Sequence, residues 1–275
     1  MSEGALSGVR RLVVKVGSST VTHPTGGIHH ANLERLARQL ADLRGEGRQV
    51  LLVTSGAIAA GRGRLSQGGR GIVDKQALAA VGQGVLMHAY ERCFAEYGQT
   101  VGQVLLTRED LRDPHRRQNL RRTLLRLMEW GVVPVVNEND SVAVEEIREE
   151  DRAGGNDTLS ALVTDLVEAE LLVLLSDVAG LFTGDPRRDA TAQLIRRVRE
   201  VTPQMEEWAG GAGSSRGTGG MRTKLAAARL ATSRGSAVVI ADGGENGVLR
   251  AALAGEAGTL FLPAERKTRG KESLR

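Results

Sequence analysis

Two glycine-rich stretches each carry a lysine in a chain that otherwise relies on arginine. Residues 216–224 read RGTGGMRTK and end on Lys224, while residues 15–19 read KVGSS and begin on Lys15. Only five lysines (Lys15, Lys75, Lys224, Lys267, Lys271) stand among 37 basic residues. Arginine presents a broad planar fork, whereas lysine places one compact, mobile charge. A lysine kept inside a glycine-rich segment therefore suits contact with phosphate oxygens. The glycines and hydroxyl residues around both lysines can turn backbone N–H groups toward an anion. RGTGGMRTK lacks the G-x-x-x-x-G-K-[ST] spacing of a P-loop, so any nucleotide site it forms is of another kind.

Three further stretches carry polar groups of the same character. In TSGAIAAG, Ser55 stands at or just before a helix start, where free N–H groups suit a carboxylate or phosphate. A plain serine N-cap explains it equally well. NEND (Asn137 to Asp140) offers two amides and two carboxylates, suited to an ammonium or to several hydrogen-bonding groups. Taken singly, an acidic surface turn is the simpler reading. Asn156-Asp157-Thr158 can cap the helix that follows, and Asp157 can equally align lysines or hold magnesium. The five histidines (His23, His29, His30, His88, His115) show no metal-ligand spacing, so no structural metal site is expected. Cys93, the single cysteine, lies in the helical run AYERCFAEYG and reads as a packing residue.

Elements that place these residues are legible from periodicity. RRLVVKVG, QVLLVTSG, VGQVLLT, VVPVVN, LLVLLSD, SAVVIAD and a last strand near GTLFL are apolar throughout. Between them lie helical patterns: Leu33 to Leu43, AIAAGRGRL, the long run from Asp74 to Gly98, residues 115–130, NDTLSALVTDLVEA and residues 222–234. Such alternation implies a mainly parallel sheet covered on both faces, in which ligands lie beyond the carboxyl ends of the strands. Lys15, Ser55, Asn137 and Ser176-Asp177 all follow strands. Segments 137–155 and 209–220 lack clear periodicity, and long irregular segments in a compact domain commonly serve function; 209–220 is the candidate mobile loop.

Composition narrows the classes. With 275 residues, 41% hydrophobic and 25% charged, the chain reads as one soluble globular domain. No secretory leader is evident, and a single cysteine allows no internal disulfide, so a cytoplasmic setting is expected. The net charge of +4 comes with dispersed arginines and only 3% aromatic residues, against nucleic-acid binding, which would want aromatic platforms or a basic stripe.

Taken in order, KVGSS, VTSGAIAAG, KQALAAVGQ, VGQVLLTREDL, VPVVNENDSV, GGNDTLSALV, LLSDVAGLFTGDP and GTGGMRTKLAAA resemble the amino acid kinase family over residues 10 to about 262, and within it the branch that phosphorylates glutamate. The resemblance implies a three-layer αβα sandwich with a mainly parallel sheet of about eight strands. It implies ATP-dependent phosphorylation of the side-chain carboxylate of L-glutamate to glutamyl 5-phosphate, the first step of proline synthesis, with Mg²⁺ accompanying ATP. By similarity, Lys15, Lys224 and Asp157 are catalytic, Asp157 orienting the lysines. Ser55, Gly56, Ala57, Asn137, Asp140 and Asn156 would hold glutamate. Lys15, Ser176, Asp177, Thr218, Gly219, Gly220, Met221, Arg222, Thr223 and Lys224 would line the ATP site, with Arg222 at a variable position of that motif. A homo-oligomer (dimer or tetramer), inhibition by proline and channelling to glutamyl phosphate reductase are further implications.

The family pattern G-D-N-D stands here as Gly154-Gly155-Asn156-Asp157, which removes one carboxylate, and T-D-x-x-G-L-Y-T stands as SDVAGLFT. Residues 1–264 are expected to form the kinase domain and 265–275 a basic tail, without the C-terminal PUA domain of many relatives. An acetylglutamate, carbamate or uridylate kinase would share both lysine loops. Asp140 favours an acceptor with a free α-amino group. A non-catalytic nucleotide- or nucleic-acid-binding protein is the alternative from another class, and retention of both lysines with Asp157 argues against it.

Overall fold

The computed structural model describes residues 6–65, 69, 71–142, 155–210 and 220–264. Its centre is an eight-stranded sheet: β1 (Arg11–Val16), β2 (Gln49–Val53), β3 (Thr100–Leu106), β4 (Val132–Glu138), β5 (Leu171–Ser176), β6 (Arg197–Val198), β7 (Ala237–Asp242) and β8 (Thr259–Phe261). The strands lie in the order β3-β4-β2-β1-β5-β7-β8-β6. Every pairing is parallel except β7 with β8. The αβα sandwich expected from the alternation of strands and helices is the one observed.

β1 is central, with Lys15 in register with Val53 of β2 on one side and Leu174 of β5 on the other. From β1 the chain builds the sheet first toward β2, β4 and β3, then returns to β5 and builds the other way. That reversal opens a crevice beyond the carboxyl ends of β1 and β5. Alternation along β1 decides which layer each side chain meets. Leu12, Val14 and Val16 enter a core shared with the helices His30–Gly45, Ile72–Ala95 and Val248–Ala254. Val13 enters the opposite core, beneath Pro114–Glu129, Gly155–Leu166 and Met221–Ser233. Lys15, two residues on from Val13, therefore faces this second layer at the strand's end.

The segments that escaped periodicity are short. β6 has two residues, and the helices Pro203–Trp208 and Val248–Ala254 have six and seven, too few turns to display a face. The edge formed by β8 and β6 reverses direction because only β7 to β8 is antiparallel. The basic tail 265–275 and most of the 209–220 loop lie outside the described residues.

Candidate active site

Two helices of the second layer and the central strand converge on one carboxylate. Asp157 lies in the first turn of helix Gly155–Leu166, Lys224 in the first turn of helix Met221–Ser233, and Lys15 near the end of β1. Lys15 Nζ stands 2.5 Å from Asp157 Oδ1 and Lys224 Nζ 3.3 Å from Oδ2. The Thr223 hydroxyl donates to the same Oδ2 at 2.7 Å. Asp157 is 1% exposed and each lysine 6%, so water does little to screen the array.

The electrostatics follow from that burial. Burial pushes the Asp157 carboxyl up, but Lys15, Lys224 and the hydrogen bonds from Lys15 and Thr223 outweigh it and hold the group below the ordinary carboxylate value. For Lys15, burial pushes the ammonium down and Lys224 adds to this. Asp157 opposes both, and the result lies below the ordinary lysine value. Two ammonium groups around one carboxylate leave one net positive charge in a dry site. The N-termini of both helices point there as well, adding partial positive charge. The arrangement is complementary to an anion that carries more than one negative charge.

A second group lies at the ends of β2 and β4. Gly56 adopts φ +96, and a Cβ there would stand 2.8 Å from Val21 Cγ2, so the turn before helix Ala57–Leu65 demands glycine. Beside it the Ser55 and Ser18 hydroxyls meet at 2.8 Å, which ties this turn to the KVGSS loop. Thr54 is braced from beneath by the Tyr90 hydroxyl at 2.7 Å. Asn137 Oδ1 accepts from the Glu138 N–H at 2.9 Å and from Asn156 Nδ2 at 3.1 Å, which brings the two asparagines named from sequence into contact. Burial, aided by Glu138, pushes the Asp140 carboxyl up to about 6.

On the β5 side, the Ser176 hydroxyl donates to Asp177 Oδ1 at 3.3 Å, and Asp177 pairs with Arg187 at 2.8 Å. Gly220 and Met221 open helix Met221–Ser233. The Arg222 guanidinium turns outward toward the Glu206 carbonyl, so its side chain is directed away from Asp157. Thr218 and Gly219 lie outside the described residues, as does Gly154. Gly155 stands at φ +44 with open space where a Cβ would point.

Sequence reading missed one buried participant. Gln83, on helix Ile72–Ala95, accepts from Asn137 Nδ2 at 2.9 Å through its Oε1 and is 8% exposed. The signal was present: a lone amide on the face that otherwise buries Leu78, Ala79, Leu86 and Tyr90. Among the described residues no cluster of three or more His, Cys, Asp or Glu can hold a metal ion. Both Asp157 oxygens already face lysines. The donor set therefore suits a magnesium ion carried mainly on nucleotide phosphates, the usual habit of that ion, and not a protein cage.

Comparison with known proteins agrees with this geometry. The model of the amino acid kinase family matches residues 10–242. A glutamate 5-kinase of Moorella thermoacetica is 57% identical over 266 residues, covering 96% of this chain and 69% of that protein. One of Clostridium acetobutylicum is 52% identical over 264 residues, covering 95% of this chain and 97% of that protein. Among solved structures, a UMP kinase from Bacillus anthracis superposes with a TM-score of 0.65 at 15% identity over 93% of this chain and 96% of that one. An isopentenyl phosphate kinase of T. acidophilum gives 0.62 at 16% identity, over 91% and 99%. At those identities the structural likeness speaks for the fold alone.

Proposed function

The chain belongs to the amino acid kinase family, and from that premise we infer that it is a glutamate 5-kinase, transferring the γ-phosphoryl group of ATP to the side-chain carboxylate of L-glutamate in proline biosynthesis. The observation that carries the reading is the buried Asp157 held between Lys15 and Lys224 at the crevice beyond β1 and β5.

The acceptor carboxylate, with an ordinary pKa near 4.3, is ionised at neutral pH and is itself the nucleophile. No general base is needed, and the array contains no histidine. What the reaction requires is alignment and neutralisation of the negative charge spread over the transferring group. In this reading Lys15 and Lys224 contact phosphate oxygens, and Asp157 keeps the two ammonium groups aimed and favours the charged form of Lys15. Mg²⁺ on the phosphates would neutralise further charge. Ser55, Gly56 and Ala57 would present hydroxyl and N–H groups to the acceptor, and Asn137, Asp140 and Asn156 would take its ammonium. Ser176, Asp177 and residues 218–224 would hold the nucleotide, the latter through backbone more than through Arg222.

We take the kinase unit to be residues 1–264. A homo-oligomer, sensitivity to proline and hand-over of the labile acyl phosphate to a reductase are carried as parts of the same proposal. Among the described residues no helix is long and apolar enough to cross a membrane.

ADP release measured with glutamate, aspartate, N-acetylglutamate, carbamate and UMP as acceptors tests the assignment. Glutamate-dependent release is expected; release with another acceptor and not with glutamate would overturn it.

A further inference from the structure

Gln83 and Asn137, both buried, and the half-buried Asn156 form a chain of three amides whose direction is set by a single backbone group. The Glu138 N–H can only donate, so the Asn137 atom 2.9 Å from it is the carbonyl oxygen. That places Asn137 Nδ2 toward Gln83, whose oxygen accepts from it at 2.9 Å. It also places Asn137 Oδ1 toward Asn156, whose Nδ2 donates at 3.1 Å. Each neighbour is thereby oriented in turn. The chain ends in Gln83 Nε2 on one side and Asn156 Oδ1 on the other.

Both end atoms are buried and without a hydrogen-bond partner. An unpartnered buried amide is costly and rare, so each one calls for a partner. The location fits. A Cβ on Gly82 would stand 1.8 Å from the Ala57 carbonyl oxygen, so the helix carries Gln83 one residue beyond a backbone contact with the first residue of the helix that follows the Ser55-Gly56 turn. Gln83 therefore links the helix packed on that turn to Asn137. One end of the chain offers two N–H donors and the other offers an acceptor. A zwitterionic amino acid presents the complementary pair, a carboxylate and an ammonium.

We propose that Gln83 belongs to the acceptor site and fixes recognition of the α-carbon end of the substrate, Gln83 Nε2 donating to the α-carboxylate and Asn156 Oδ1 accepting from the α-ammonium. This rests on the reading of the protein as a glutamate kinase. Asn156, held by Asn137, would alone bind an amine; Gln83 makes the site select an α-amino acid.

The test compares wild type with Gln83→Met and Gln83→Asn, using glutamate as substrate and 4-aminobutyrate as competitor. 4-Aminobutyrate keeps the amine and the distal carboxylate but lacks the α-carboxylate. Loss of a hydrogen bond to a charged group predicts a rise in glutamate KM of about tenfold or more in Q83M, with the KM for ATP within about twofold of wild type. Inhibition by 4-aminobutyrate should change little, so discrimination between the two ligands falls. Gln83→Asn, with a shorter amide, should also lose affinity for glutamate, and it serves as the test if the methionine variant does not fold. An active wild type with unchanged glutamate KM in a folded variant would overturn the inference. So would equal weakening of glutamate and 4-aminobutyrate, which marks Gln83 as structural support only. A wild type that phosphorylates no glutamate would instead refute the functional reading itself.

Discussion

Replacing Asp157 by asparagine keeps the shape of the side chain and its bond to Thr223 but strands two ammonium groups in a site where each lysine is only 6% exposed. Removing one partner of a buried ion pair costs about 3–5 kcal/mol. The penalty has a ceiling, because one lysine can shed its proton. From an ordinary lysine value of 10.5 that costs, at pH 7, about 3.5 × 1.36, or roughly 4.8 kcal/mol. With a sensitivity of about 2–4 °C per kcal/mol for a domain of this size, the variant should melt roughly 6–20 °C below wild type. Its kcat should fall by at least about 100-fold, the scale on which one oriented charge-stabilising group acts. Lys15 loses the one influence that raises its pKa, so the alkaline limb of the activity profile should move to lower pH. ATP restores negative charge to the array, so saturating ATP with Mg²⁺ should raise the melting temperature of the variant more than that of wild type. Melting curves with and without nucleotide, beside initial rates across pH, provide the assay. A variant that melts with wild type and keeps kcat within threefold would refute the argument that Asp157 holds the two lysines in place.

Lys15→Ala and Lys224→Ala, measured separately by ADP release, should each lose at least about tenfold in turnover, about 1.4 kcal/mol of transition-state stabilisation; near-normal rates in both would remove them from the chemistry. Asp140, with its carboxyl pushed up to about 6, is ionised above that pH and neutral below it, so glutamate KM should rise as pH falls through about 6, and Asp140→Asn should have a higher, flatter KM across that range. The Asp157 ion pairs contribute stability that is complete above the ordinary carboxylate value and lost as pH falls toward the depressed native value, so the acid transition should be shallower in Asp157→Asn. In Gly82→Ala a Cβ would lie 1.8 Å from the Ala57 carbonyl, forcing apart two helices packed backbone to backbone. Overpacking of this kind costs about 1–3 kcal/mol, and calorimetry should show the loss together with weaker glutamate binding.

Much of this arrangement was legible before any coordinates. Uniform apolar strands separated by amphipathic helices determine a parallel sheet with two covered faces, and polar residues following each strand mark the edge where a ligand lies. The scarcity of lysine made Lys15 and Lys224 conspicuous, and the structure brings both onto Asp157. Other features depend on tertiary packing that no local pattern encodes. The reversal of β8 against β7 turns on one connection after helix Val248–Ala254. Ser55 can cap a helix or bind an anion, and only its contact with Ser18 ties it to the phosphate side. Asp157 can cap, align lysines or hold a metal, and only the fold brings Lys15 and Lys224 onto its two oxygens. Gln83 lies within the stretch KQALAAVGQ, yet its contact with Asn137 exists only because helix Ile72–Ala95 packs beside helix Ala57–Leu65 at the sheet end.

The most direct test of the central claim is capture of the product itself. Incubating the protein with ATP, Mg²⁺, glutamate and hydroxylamine should yield glutamyl hydroxamate in step with ADP, because hydroxylamine intercepts the acyl phosphate formed on the side-chain carboxylate. ADP released without hydroxamate, or hydroxamate formed from another acceptor and never from glutamate, would contradict the account.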